Sequence, residues 1–559
     1  MVLSLCSAAF ALAAQSAGTA FPPPLARDHA SYGGPAVAVA QAGRSRVSNA
    51  SPTFSRDIAP IVFTNCSPCH RPGESGPFDL LTYQDVRARG QLIVEAIRRR
   101  YMPPWKPALA GGSPFAGERR LTDAQIALVA RWVDEGMTEG NPADLPQRAA
   151  RLDGWQIGRP DLIVTMAAPF LLPADGPDVF RTFVIPVPMT SAKYVGAMEF
   201  VPGGSRAVHH ANVRVDSTPG SRDLDAADPL PGYEGVVSAG ARYPDGYFLG
   251  WTPGQRPQLS PPGMAWRLDP GSDLVVQIHM RKTGRPERVQ PRIGFVFTDR
   301  PPDRVPLAMR LGRQNIDLAP GARTTIRDRY RLPVDVDVLS IHPHAHYRAT
   351  DVAAFATLPD GSRKALIHIP DWDFNWQDVY RYETPVALPR GTEIAMEYTY
   401  DNSSDNVRNP DRPPRRILFG QNSSDEMGDL WLQVVTRTAA DRAQLAADLI
   451  PKVLAEDAVG YGTLLMADPG NGAIRRTKAA TEYNLGTLLL SSRRWNEAAA
   501  HLTAAIELRP DHGESHNNLG VALRALGRGD EAIEEFRRAV ALDPSNDAAR
   551  QNLEDALKR

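Results

Sequence analysis

Asn484-Leu-Gly486 recurs as Asn518-Leu-Gly520, and Leu508-Arg-Pro510 recurs as Leu542-Asp-Pro544, each 34 positions on (484 to 518, 508 to 542). Self-similarity at that period restricts the fold more than any other feature of the chain. Each unit is a helix–turn–helix whose apolar face is covered only by its neighbour, so the units must stack. Two full units and a terminal helix over 476–559 fall short of the three usually needed to stand alone, and the array is expected to lean on a neighbour. Residues 441–475 read as a helical connector.

Near the other end stands Cys66-Ser-Pro-Cys-His70. Two thiols followed by an imidazole are what covalent haem attachment requires: Cys66 and Cys69 add to the vinyl groups and His70 ligates the iron. A redox dithiol would need a βαβ context and a zinc site a second Cys pair, and neither is present. Met102, in the Pro-constrained Met102-Pro-Pro-Trp105 loop, is the expected sixth ligand; a thioether favours the ferrous state and raises the potential. The competing assignment is core packing.

Haem of this type is attached outside the cytoplasm, so export to the periplasm or beyond is expected. Val2 to Ala14 is an apolar run of the size of a secretory h-region and too short to span a bilayer, with cleavage placed near Ala14 to Ala20, although no basic residue precedes Arg27. Cys6 falls in that leader (1–20), which leaves no disulfide framework, and no transmembrane segment is expected. Residues 21–50 are rich in Pro, Ala, Gly and Ser and read as a linker.

The 559 residues suffice for about three or four domains with separate cores. Lys plus Arg (63) nearly balances Asp plus Glu (64), so no global field draws the chain to nucleic acid or anionic lipid.

Residues 51–148 read as compact and helical. Thr122-Asp-Ala-Gln125 is a capping box opening a helix with Ile126, Val129 and Val133 on one face and Gly136 at its end; a second helix is expected over Gln91 to Arg99. From Trp155 to Thr438, Pro and Gly recur at short intervals between alternating runs such as Val208 to Val215, Leu274 to His279 and Glu393 to Tyr400. That is an all-β pattern with length for two sandwich-like domains, placed at 149–310 and 311–440.

Seven metal-ligating side chains fall in that region. His209 and His210 adjoin on a predicted strand, where neighbours point to opposite faces, so one metal takes both only if the backbone bends. His279 ends another apolar run. His342-Pro-His344-Ala-His346 sets three imidazoles at i, i+2 and i+4 on one face of an extended segment. Met427, in Ser424-Asp-Glu-Met427, would add a thioether, and imidazole with thioether selects copper over zinc and stabilises Cu(I). Singly, each is equally a core or loop residue; the combination in a chain of 12 histidines carries the metal assignment.

His209-His210, Gln277-Ile-His279, the His-x-His cluster and Ser424-Asp-Glu-Met427 together resemble the copper type II, ascorbate-dependent monooxygenases, the group of peptidylglycine alpha-hydroxylating monooxygenase and dopamine beta-hydroxylase. Tyr398-Thr-Tyr400-Asp401-Asn402 and Asp373-Phe-Asn-Trp376 resemble bacterial members that carry a cytochrome domain, and Met102-Pro-Pro-Trp-Lys106 with Arg119-Arg-Leu-Thr122-Asp resembles monohaem cytochrome c domains. The resemblance over 155–438 implies two jelly-roll-like β domains with a copper on each: His209, His210 and His279 on the electron-transferring one, Met427 with two clustered histidines on the oxygen-binding one. Tyr347-Arg348-Ala349 sits where bacterial relatives have an apolar residue, Arg and Gly, which selects His344 and His346, with His342 as alternate. The disulfides of the animal enzymes are absent.

The expected architecture is therefore a helical cytochrome c domain, two all-β jelly-roll-like domains and a helical tetratricopeptide repeat array. The expected activity is hydroxylation of a C–H bond of a small-molecule or peptide substrate with O2, at His344, His346 and Met427. One covalent haem c would relay electrons to the copper of His209, His210 and His279, in place of ascorbate or from it. A protein partner is expected at the repeats. The alternative is a non-catalytic electron-transfer or copper-binding scaffold docked through those repeats.

Overall fold

The computed structural model describes residues 51–558, apart from 73, 75, 109–111, 148–153, 205, 235, 236, 239 and 421. The leader, Cys6 and the 21–50 linker lie outside the described residues.

Thr122 and Gln125 exchange side-chain-to-backbone hydrogen bonds, and the helix Asp123–Asp134 follows from that capping box. Gly136, at φ +93°, takes the left-handed turn that closes it. Its buried Val129, Trp132 and Val133 pack on Phe54, Ile58, Val62 and on Val94 and Ile97 of the helix Gly90–Arg98. Ile126 lies only partly buried at the edge of that core.

Two β units follow, each of two antiparallel sheets closed on an apolar core. In the first, one sheet runs Val179–Pro186, Asp273–Met280, Val208–Asp216, Leu249–Trp251; the other is built around Arg292–Thr298 and Lys193–Val201. In the second, Leu307–Gly312, Gly428–Thr436, Val336–Ala345 and Tyr380–Leu388 form one sheet, and Arg323–Arg331, Glu393–Asp401, Ala349–Thr357 and Arg363–Ile369 the other. The strand Leu307–Gly312 runs across the division expected at 310 and pairs throughout with Gly428–Thr436. The boundary between the units therefore falls between Thr298 and Leu307. Leu339 and Val435 turn outward from the second unit into the core of the first, which fixes the two units face to face.

The helix Ala439–Ala467 fills most of the expected connector. Its Leu445, Leu449 and Tyr461 enter the second β core, while Leu454 enters the core of the repeats. One helix thus supplies the support that a short array lacks. The first repeat helix, Gly472–Ser491, begins four residues before the expected boundary at 476 (476 − 472 = 4) and pairs with Trp495–Leu508; Gly513–Ala525 pairs with Gly529–Leu542, and Asp547–Leu557 caps the stack. A Cβ on Gly486 would lie 2.6 Å from Leu502, and one on Gly520 would lie 2.6 Å from Phe536, so the recurring glycine marks the closest approach of paired helices. Among the described residues no helix is long and apolar enough to cross a membrane.

Candidate metal centres

Val208 stands opposite Met280 and His210 opposite His279, which leaves His209 as the extra residue of a β-bulge. A bulge re-aims the side chain it inserts, and this one removes the obstacle posed by adjacent histidines on a regular strand. The ring centroids of His209, His210 and His279 lie 4.8 to 5.4 Å apart, and one nitrogen from each falls within 4.8 Å of the others. Among the described residues this is the one convergence of three or more His, Cys, Asp or Glu side chains.

His279 Nε2 donates to Asp178 Oδ2 at 2.8 Å, so Nδ1 carries the lone pair. The bond from His279 holds the Asp178 carboxyl below its ordinary range, against the effect of burial. His279 Nδ1 and His209 Nε2 are both buried without a hydrogen-bond partner. Orphaned buried nitrogens are costly unless something binds them, and a carboxylate-oriented imidazole with a bare second nitrogen is the usual form of a metal-ligating histidine. Burial, with His279 beside it, pushes His209 down to about 3, and His210 also falls well below its ordinary value, so both rings are neutral at physiological pH.

His342, His344 and His346 follow one face of the strand Val336–Ala345 and its first residue beyond. Each Nδ1 meets an oxygen that can only accept: Asp378 O at 2.9 Å, Gln377 Oε1 at 2.5 Å and Asp425 O at 3.1 Å respectively. Each Nε2 is therefore left with its lone pair. His344 and His346 lie 5.2 Å apart, edge to face, whereas His342 is 6.5 Å from His344 and turns towards Phe248. Burial lowers all three, His342 to about 4 and His346 to about 3.

Met427 is buried at the start of the partner strand. Ala345 pairs with Gly428, and one further step of that antiparallel register sets His346 beside Met427. Its backbone is clamped: Tyr400 Oη donates to Met427 O at 2.7 Å, and the Glu426 carboxylate accepts from the backbone N–H groups of His346 and Arg348. Burial pushes Glu426 up to about 8, although Arg348 stands against it. Arg348 also reaches Ser424 O and Asn402 Oδ1. The quoted segments around Ser424 and Tyr398 thus meet as the frame of Met427 rather than as ligands.

The two clusters face each other. Phe374 stacks on His209 (5.5 Å, 24°) and meets His346 edge-on (5.3 Å, 75°), and the imidazoles of His344 and His346 help depress His210. Asp178, Phe374, Gln377 and Glu426 escaped the sequence analysis. Phe374 and Glu426 carried a signal, through Asp373-Phe-Asn-Trp376 and Ser424-Asp-Glu-Met427.

In the helical unit Cys66 and Cys69 are not joined in a disulfide, and burial pushes Cys66 up to about 12. His70 Nδ1 donates to Phe78 O at 3.0 Å, leaving the lone pair on Nε2. A Cβ on Gly76 would fall 2.7 Å from Cys69 O, and one on Gly254 of the first β unit 3.0 Å from Cys69 Sγ. Met102 borders a cavity of about 260 Å³ with Ile97, Trp105, Arg120 and Leu121, but Cys66, Cys69 and His70 do not line it. The segment after Met102 docks on the β units: Lys106 pairs with Asp371 at 3.0 Å, Arg119 with Asp378 at 2.8 Å and Gly254 O at 2.7 Å, and Trp105 meets Tyr380.

Residues 483–547 match the tetratricopeptide repeat family. The C-terminal array is a tetratricopeptide array. It is similar to the second such domain of human RPAP3, solved with an HSP70 peptide (23% identity, covering 22% of this chain and 92% of that one, TM-score 0.17), and to the Arabidopsis OM64 domain (20% identity, 20% and 96% covered, TM-score 0.16). A third similar structure is the C-terminal domain of a Plasmodium falciparum FK506-binding protein (18% identity, 20% and 76% covered, TM-score 0.18). No curated protein matches the chain.

Proposed function

We propose that this chain is an exported copper-dependent monooxygenase that hydroxylates a C–H bond with O2 and receives electrons from its own covalently bound haem. The observation that carries the proposal is the bulge at His209, which gathers three imidazoles with two orphaned nitrogens directly across Phe374 from the His344–His346 pair. The donor sets fit copper: three imidazoles in one site, two imidazoles beside a buried thioether in the other. Cys66, Cys69 and His70 fit haem, being two thiols not tied up in a disulfide and an imidazole whose Nδ1 is already engaged. Met102 would supply the sixth ligand.

When bound, the coppers supply one-electron reactivity with O2 and the haem stores the electron. The protein positions and shields. Asp178 fixes the His279 tautomer and Gln377 that of His344. Phe374 packs between the clusters, and the Glu426–Arg348 frame holds Met427 beside His346. His342 is the alternate ligand of the second site. The tetratricopeptide array docks a protein partner, as arrays of this kind do.

The test is oxygen uptake by haem-loaded, copper-loaded protein with ascorbate as reductant. The proposal expects uptake that Met427→Ala abolishes while the haem spectrum stays intact. Tight copper binding with no uptake under any reductant marks the non-catalytic scaffold instead.

A further inference from the structure

Five consecutive residues on the loop between the strands Arg363–Ile369 and Tyr380–Leu388 each reach a different part of the presumed redox path. Phe374 touches His209 of one cluster and His346 of the other. Asn375 faces the His209 ring and accepts a hydrogen bond from Arg281 at 3.1 Å. Trp376 meets Tyr101 of the helical unit edge-on at 6.0 Å. Gln377 holds His344, and Asp378 holds His342 through its carbonyl while its carboxylate takes Arg119. Two residues earlier than Asp373, Asp371 takes Lys106.

We infer that this loop is the electron-entry element of the protein, with Trp376 as its receiving side chain. The inference rests on the haem-and-copper assignment above. Electron tunnelling decays more slowly through bonded and packed atoms than across gaps. From Trp376 one peptide bond leads to Gln377 and its hydrogen bond to His344, and two lead to Phe374 and its stack on His209. A second contact joins the helical unit to the chain just ahead of the His209 strand, Arg206 donating to Pro77 O at 3.1 Å, but it does not reach the ring of His344 as the loop does through Gln377. In the step, one electron leaves ferrous haem, which becomes ferric, and arrives at a cupric ion, which becomes cuprous; no proton moves. That suits Trp376, whose Nε1–H is buried without an acceptor and has nowhere to send a proton. The indole therefore acts as a bridge and is not itself oxidised.

The experiment is anaerobic rapid mixing of haem-loaded protein, reduced at the haem, with the copper sites loaded as Cu(II), following the haem absorbance. Trp376→Leu and Tyr101→Leu are compared with the parent chain, and copper content is measured in each. Tyr101 is half exposed, so its replacement leaves the core intact even if Trp376→Leu disturbs folding, and it then decides alone. The inference expects haem oxidation slowed roughly tenfold in both variants at unchanged copper content. Parent-like rates in copper-replete variants overturn it. If the parent chain itself shows no haem oxidation by Cu(II), it is the functional proposal that fails, a result distinct from the loss of the loop alone.

Discussion

Gln377 Oε1 accepts a hydrogen bond from His344 Nδ1 at 2.5 Å, while Gln377 Nε2 donates to Phe374 O at 3.0 Å. The amide is thus held at both ends and determines which nitrogen of His344 is free. Outer partners of this kind are worth about 10–100-fold in metal affinity. Gln377→Leu should weaken copper at the His344–His346 site by about that factor and leave the His209 site unchanged, as read by competition against a chelator of known strength. Equal weakening at both sites would show that the substitution acts through the loop as a whole.

In the repeats Glu482 bonds His501 at 2.7 Å, and 34 residues on His516 bonds Glu535 at 2.6 Å. The same link is built with its charges reversed. Breaking it with Glu482→Ala should destabilise the array by about 1–2 kcal/mol. The exchanged pair Glu482→His with His501→Glu should recover most of that loss. Urea titrations of the helical transition check both.

Acid sensitivity follows from the same residue. Burial alone would raise the Glu482 carboxyl, but hydrogen bonds from His501 and Lys478 outweigh it and hold it below the ordinary value. A depressed carboxyl binds fewer protons folded than unfolded. Its contribution is complete above about pH 4.5 and is lost as pH falls through the folded value. Glu482→Gln should flatten the acid side of the array's stability profile.

Gly520 faces Phe536 so closely that a methyl group would lie 2.6 Å from the ring. Gly→Ala in a helix interior ordinarily stabilises by about 1 kcal/mol, yet here overpacking of about 1–3 kcal/mol opposes it. Gly520→Ala should lower the thermal midpoint of the array, whereas Gly462→Ala, whose nearest neighbour is 3.8 Å away on a lysine side chain, should not.

Local chemistry was legible in the sequence. The capping box at Thr122, the strands around Val208, Leu274 and Glu393 and the stacked repeat units depend on neighbours in the chain or on a fixed period. Long-range relations were not. Nothing near His209 announces a bulge, because the extra residue exists only relative to His279 on another strand. Leu307–Gly312 reads as a continuation of the first β unit until its pairing with Gly428–Thr436, well over a hundred residues away, assigns it to the second. The convergence of Phe374 on both clusters is likewise a product of two units packing face to face. Met102 was placed by its loop chemistry alone, and the structure sets it at a cavity shared with Ile97, Trp105 and Leu121.

X-ray absorption of the copper-loaded protein, with metal content determined on the same sample, addresses the central claim most directly. The account predicts two coppers per chain with nitrogen scattering from imidazoles and a sulfur shell that disappears in Met427→Leu. One copper or none per chain, or a spectrum unchanged by Met427→Leu, would contradict it.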